Sequence, residues 1–269
     1  MDPITPCSSQ LVSPAGEPPI ELPPSVHSLS RDDHLAPQEL GHLSEFFDPF
    51  LPHFIADTLR CEGEVLVSTV GGRVDGLFLF NPVERIGSVF TRDLALAEAF
   101  SRSRRGIGVF SEFPLVPTAE VYDVLVTDGW ASVGPHGYRH PVRAAREDDR
   151  PALLRLLQEV NGAVDERWLS PVEREGEKCL VVELEAGLVA AGWVSVVGQW
   201  GRLHSLSVRP GFRRMGVGAD LWHARMLWAR HAGAQRVLTE IAQTNVASRA
   251  ISVAGGMRVW GPVYLTVRP

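Results

Sequence analysis

The stretch that most constrains the fold of this chain is Arg213-Arg214-Met215-Gly216-Val217-Gly218. It lies between a short apolar strand pattern, Leu203 to Val208, and an amphipathic helix pattern that runs to about Ala232. A strand, a turn rich in glycine and arginine, and a helix start in that order predict an α/β arrangement with an anion site at the turn. Glycine lets the backbone approach a ligand without a Cβ in the way, the first helical turn has unpaired N–H groups, and the helix dipole favours negative charge there. Arg213 and Arg214 add fixed positive charge suited to phosphate. A P-loop would end in Gly-Lys-Ser/Thr, and the single lysine of the chain, Lys178, lies elsewhere; a dinucleotide fingerprint would need a third glycine where Leu221 stands. These six residues alone leave open a phosphate loop or a tight turn with surface arginines.

The surrounding order narrows the choice. Leu206-Ser207-Val208-Arg209-Pro210-Gly211-Phe212 leads into Arg213 to Gly218. Val237 to Ile241 then reads as a strand, Asn245 follows it, Ser248 to Ala254 read as a short helix, and Gly256-Met257 comes next. Upstream, Val142 to Ala145 reads as a strand, with Asp149 as N-cap and Pro151 just inside the following helix. From Pro141 to Pro269 this order resembles the GNAT superfamily of N-acetyltransferases. The resemblance implies acetyl-CoA as co-substrate, with Leu206, Ser207 and Val208 on the fourth strand beside the pantetheine arm. It also implies the pyrophosphate on Arg213, Arg214, Met215, Gly216, Val217, Gly218 and Ala219, and Asn245 on the pantetheine or capping the next helix.

Residues 1–28 hold seven of the twenty prolines without helix or strand period and are expected to form a flexible or extended arm. Residues 29–140 read as a worn copy of residues 141–269. Val74-Asp75-Gly76-Leu77-Phe78 matches Ala190-Ala191-Gly192-Trp193-Val194, Val109 to Glu112 matches Val237 to Glu240, and Gly129-Trp130 matches Gly256-Met257. The N-terminal copy runs from strand Gly87–Phe90 almost directly into helix Asp93–Arg102, so the residues it lacks are those of the phosphate loop. Ser103-Arg104-Arg105-Gly106-Ile107-Gly108 imitates that loop but follows a helix and precedes a strand, the reverse of what an anion site needs. The expected fold class is therefore α/β with two GNAT-like domains. Each has a mixed, mostly antiparallel central sheet flanked by helices, and the C-terminal one has a splay between its fourth and fifth strands. Tandem chains with one degenerate half occur in this superfamily, the mycothiol synthases among them, and the N-terminal half is expected to cover its partner and wall the acceptor cleft.

Acetyl transfer from a thioester to an amine needs an unprotonated amine, an oriented carbonyl and a proton for the departing thiolate. Glu240 on the fifth strand matches the catalytic glutamate of the ribosomal-protein N-terminal acetyltransferases that this half resembles. It is the candidate base, with a solvent-facing edge carboxylate as the alternative. Where those relatives carry a tyrosine this chain has Ser252, so the proton donor is Ser252, Tyr264 on the last strand, or water. No cysteine or serine stands in a nucleophile–base motif, which favours direct transfer. Val217, Leu221 and Trp228 read as the core stripe of their helix, with His223 and His231 on its exposed side. His204 could face the acceptor. Trp193, Trp200 and Trp260 are candidates for a pocket lining or for the core.

The net charge of −6 argues against general nucleic-acid binding. No apolar run has membrane-spanning length, and the first residues lack the basic-then-apolar pattern of a secretory signal. Cys7, Cys61 and Cys179 are isolated thiols that fit a reducing cytosol and suggest neither zinc nor disulfides. The expectation is a cytoplasmic monomer or homodimer, without metal, that acetylates a small-molecule or peptide amine. Other readings are a non-catalytic acyl-CoA-binding or interaction module, and a synthase directed to a thiol or amino sugar. Asn161 to Gly176, with Asp165, Glu166, Glu173 and Glu175, and Gln199 to Arg202 are the expected acceptor loops.

Overall fold

The computed structural model describes residues 26–29, 51–60, 62–82, 86–103, 107–130, 133–162, 173–174 and 176–267. Most of the proline-rich arm, Cys7, Cys61, residues 104–106 of the imitation loop, and residues 163–172 with Asp165 and Glu166 lie outside the described residues, as do Glu175 and the side chain of Glu173.

The strands are β1 (Val26–Ser28), β2 (Glu64–Val70), β3 (Arg73–Asn81), β4 (Ile86–Thr91), β5 (Gly108–Ser111), β6 (Glu120–Val126), β7 (Val142–Ala144), β8 (Glu173–Arg174), β9 (Glu177–Leu184), β10 (Gly187–Val197), β11 (Trp200–Val208), β12 (Arg236–Ala242) and β13 (Arg258–Val267). The helices are α1 (Leu51–Arg60), α2 (Leu94–Ser103), α3 (Arg150–Asn161), α4 (Val217–His231) and α5 (Val246–Ala254). Among the described residues thirteen strands form one sheet in the order β1-β2-β3-β4-β5-β13-β6-β12-β11-β10-β9-β7, with β8 on β9. Every pairing is antiparallel except β4 with β5 and β11 with β12.

This order joins the halves by exchange. β6, which precedes the second half in the chain, lies between β12 and β13; β13, the last strand of the chain, lies between β6 and β5. The segment after β6 is tied down at Thr127, whose N–H donates to Val237 O (2.9 Å), and at Trp130, whose Nε1–H donates to Ala234 O (2.8 Å). Gly129-Trp130 therefore follows an exchanged strand while Gly256-Met257 precedes one, and the two pairs are not structural equivalents. Val26–Ser28, read as part of the arm, is a strand on β2.

Side chains alternate faces along a strand, so a sheet covered on both sides reads as nearly continuous hydrophobic runs. β10 shows this: Leu188 to Ser195 are all buried. One core, with Val65, Val67, Leu77 and Phe90, continues through Val124, Trp200, Leu238 and Val263 under α1, so it spans both halves. Val181, Leu188 and Trp193 pack with Leu153, Leu156 and Leu157 of α3, while Val182, Val189 and Ala190 meet Val217 and Leu221 of α4.

Two local expectations change. Asp149 precedes α3 but makes no side-chain cap to it; its Oδ2 accepts from Arg146 N–H (2.7 Å) and Arg143 Nη1 (2.6 Å). The Arg143 bonds hold its carboxyl below the usual range against the upward push of burial. His223 is buried, stacked on His136 with ring centroids 4.4 Å apart, rather than exposed. No described helix is long and apolar enough to cross a membrane, and the described residues contain no group of three or more potential metal ligands.

Candidate active site

After β11 the chain makes a short turn of 3-10 helix, Pro210–Phe212, and Arg213 Nε donates back to Val208 O (3.1 Å). Arg214 (φ +63°) and Gly216 (φ +92°) then adopt the left-handed conformation that swings the chain into α4. A side chain at 216 would be strained by that φ and would meet Arg139 Cδ at 3.4 Å. The first bonds of α4 run from the N–H groups of Ala219 and Asp220 to Gly216 O, both 3.0 Å, so the earlier N–H groups of the loop face outward from the helix end.

An acid in the first turn would oppose a bound phosphate, but Asp220 is turned away and 1% exposed. It accepts from His136 Nε2 (2.6 Å), His140 Nδ1 (2.8 Å) and the N–H groups of Arg139 and His140. Burial raises its pKa, and these donors outweigh that and lower it overall. The segment linking the halves is thereby held against the first turn of α4.

β11 and β12 pair at Trp200–Arg236, Gly201–Val237 and Arg202–Leu238 and then diverge. Beyond the last pair, the Thr239 hydroxyl donates to Leu203 O (2.9 Å), a single side-chain bond at the apex of the splay. The opening is a cavity of about 230 Å³ with Leu206, Glu240, Asn245 and Ser252 in its walls.

Glu240 faces the same side as Leu238. Arg202 Nε donates to both its carboxylate oxygens at 3.2 Å, and both side chains are 10% exposed. It lies at a junction, because it also borders a cavity of about 40 Å³ under α1, lined by Phe54, Phe90 and Phe110 of the N-terminal half. Asn245 Oδ1 accepts from Ser248 N–H (3.2 Å), so it caps α5 while lining the splay. Ser252 is 1% exposed on α5. Tyr264 pairs in register with Ser111 and Val121 and is not in the wall of the splay cavity. Leu206 and Val208 pack partly into the core beneath α4, and Ser207 accepts from Asn161 Nδ2 at 3.2 Å. Met215 is exposed, and Val217 is core. His204 lines the splay with its Nε2 3.2 Å from Glu177 Oε1. Trp193 and Trp200 are buried.

Two wall residues escape a reading of the local motifs. Tyr122, on the exchanged strand β6, reaches the cavity from the other half; burial and then neighbouring Glu120 push its phenol up to about 12. Arg225, in the middle of α4, is the other. Its spacing four residues after Leu221 puts it on the core stripe, and that is the signal that could have found it.

Residues 142–251 match the family model described as the acetyltransferase (GNAT) family. No curated protein matches the chain by sequence. Among solved structures, an acetyltransferase of the GNAT family from Colwellia psychrerythraea is 13% identical, with 90% of this chain and 99% of that one covered and a TM-score of 0.57. A tandem GNAT protein of the clavulanic acid biosynthesis pathway is 14% identical, with 90% and 97% covered and a TM-score of 0.57. A GCN5-related N-acetyltransferase from Sphaerobacter thermophilus is 14% identical, with 91% and 96% covered and a TM-score of 0.55. The sequence match thus places residues 142–251 in the GNAT acetyltransferase family, and the likeness to these solved structures shows the same fold along most of the chain.

Proposed function

We propose that the C-terminal half binds acetyl-CoA in the β11–β12 splay and transfers the acetyl group directly to a primary amine, either a small molecule or a peptide N-terminus or lysine. The observation that carries this reading is the β11–β12 splay cavity together with the left-handed turn of the Arg213–Gly218 loop that follows β11. The loop holds the pyrophosphate, the backbone of Leu206, Ser207 and Val208 holds the pantetheine arm, and Asn245 borders it. The amine nitrogen attacks the thioester carbon, and the carbonyl electron pair moves to oxygen. It returns as the C–S bond breaks, and the thiolate leaves with the electrons of that bond. The proton lost by the amine goes to Glu240, directly or through water; a carboxylate has lone pairs enough to accept from both Arg202 and an ammonium. The thiolate takes its proton from Ser252, from the Tyr122 phenol or from water.

The Arg202–Glu240 pair favours a second reading, an acyl-CoA-binding module without turnover, because it occupies the candidate base. Calorimetric titration with acetyl-CoA, followed by thiol release against amines and N-terminal peptides, separates the two. Binding with thiol release in one acceptor class supports transfer, binding without release for any acceptor supports the module, and no binding removes both.

A further inference from the structure

Arg225 is 2% exposed and is one of the largest fully buried side chains of the protein. No carboxylate among the described residues pairs with it, and its Nε has no hydrogen-bond partner. A buried cation without a counter-ion is costly, and burial lowers its pKa to about 9.

Its Nη1 donates to two backbone carbonyls, Trp193 O (3.3 Å) and His204 O (3.2 Å). Trp193 and His204 face each other across β10 and β11, and the next paired residues are Ala191 and Ser207. Gly192 alone thus stands opposite two residues, Ser205 and Leu206, which makes a β-bulge. Ser205 has φ +53°, a left-handed conformation that is unfavourable for a non-glycine residue. Gly192 makes the room: a Cβ there would stand 3.1 Å from Arg225 Nε. Arginine, glycine and bulge form one unit, and Ser205, Leu206 and Arg225 all line the splay cavity.

The N-terminal half supplies an internal control. Gly76 matches Gly192 in sequence, and the side chain packed against it is Leu96 of α2, whose Cδ2 would be 3.0 Å from a Cβ at 76. There β3 and β4 pair without interruption from Gly76–Thr91 to Asn81–Ile86. The half without a cofactor loop has leucine and a regular β3–β4 ladder; the half with the loop has arginine and a bulge in the matching β10–β11 ladder.

We infer that Arg225 is a positioning residue for acyl transfer: through His204 O it fixes the bulge at Ser205–Leu206 in the wall of the splay, and its charge there favours a thioester carbonyl oxygen that becomes negative. This rests on the acetyl-transfer reading. A fixed charge in a water-poor site stabilises a developing oxyanion without reorganisation.

The test is the infrared carbonyl band of acetyl-CoA labelled with carbon-13 at the carbonyl, bound to the full chain, alongside calorimetric affinities for acetyl-CoA and CoA. In the wild type the band falls below that of free acetyl-CoA. Arg225→Met should return it to the free position, with turnover about 10- to 100-fold slower and CoA affinity within about threefold of wild type, since an indirect support is expected to matter less than a direct oxyanion donor. Arg225→Lys should recover part of both. A Met variant that keeps the wild-type band and rate overturns the role. So does a wild-type band that coincides with free acetyl-CoA, however the variants fold. Failure of the wild type to bind acetyl-CoA would show in the titration itself and would remove the parent reading, and this role with it.

Discussion

The two halves begin from the same ladder and part at its end. β4 and β5 pair in parallel at Ile86–Gly108, Gly87–Val109 and Ser88–Phe110, as β11 and β12 do at their three positions. Beyond that point the N-terminal half closes. β4 runs into α2 through Thr91 to Asp93, where Asp93 Oδ1 accepts from Ala95 N–H (2.8 Å) and Leu96 N–H (3.2 Å) as a helix cap. Phe78 and Phe100 stack beneath it with centroids 4.7 Å apart, amid Val89, Leu96 and Ile107. The C-terminal half stays open, with arginine, serine and threonine around a cavity. A parallel pair that splays is thus a feature of the fold, and what fills it decides whether it is core or site. The halves stay together because each completes the sheet of the other, so the closed half can serve as a wall of the open one.

The sharpest way to break this comparison is to give the closed half the arginine of the open half. Leu96→Arg places a cation among apolar side chains with no bulge carbonyls to receive it. It should destabilise the protein by about 4 kcal/mol, seen as a thermal midpoint lowered by several degrees or more. A near-normal midpoint would mean that the two positions are interchangeable and that Arg225 needs no special partner. Next in size is Glu240→Gln, which keeps the shape and removes the proton acceptor. Turnover should fall about 100-fold or more while acetyl-CoA affinity in titration stays near wild type. Unchanged turnover would reduce Glu240 to an ion-pair partner of Arg202. Third, Gly216→Trp strains a left-handed position and fills the approach to the helix end. Acetyl-CoA affinity should drop about 100-fold, or 2.7 kcal/mol, and the equivalent region of the other half should contribute no residual binding.

What could be read from the sequence was what is local. The loop from Arg213 to Gly218, the strands around it and Asn245 before α5 each carry their signal within a few residues, and the missing loop of the N-terminal half showed as a shortened interval. The strand exchange could not be read: Glu120 to Val126 has the residues of a strand, but nothing in them says which neighbour it pairs with. Tyr122 entered the site unannounced for that reason. Asp220 has the sequence position of an ordinary acid complementing a helix dipole, while the four donors that hold it come from a distant segment. The burial of His223 has the same non-local cause, because the ring that covers it, His136, arrives with the same linker. The spacing of Arg225 from Leu221 puts it on the buried face, against the usual solvation of an arginine on a helix.

The smallest expected effect probes the strap between the halves. The pKa of His223 is lowered first by burial and then by His136, partly offset by the Gly134 backbone and by Asp220. Between its unfolded value of 6.5 and the lower folded one, the unfolded chain binds more protons, so stability falls as pH drops through that window and levels off beneath it. Asp220 has the opposite kind of contribution for its charge: its folded pKa is below 3.8, so its stabilisation is complete above that value and is lost only as pH falls through the folded one. A decline between pH 7 and pH 5.5 therefore points to the histidine and not to the aspartate. Thermal melts over that range should show a fall of about 2 °C in the wild type and a smaller one in His223→Phe, which keeps a ring against His136 without a proton to bind. An equal fall in both would place the titrating group elsewhere and leave the strap a passive link.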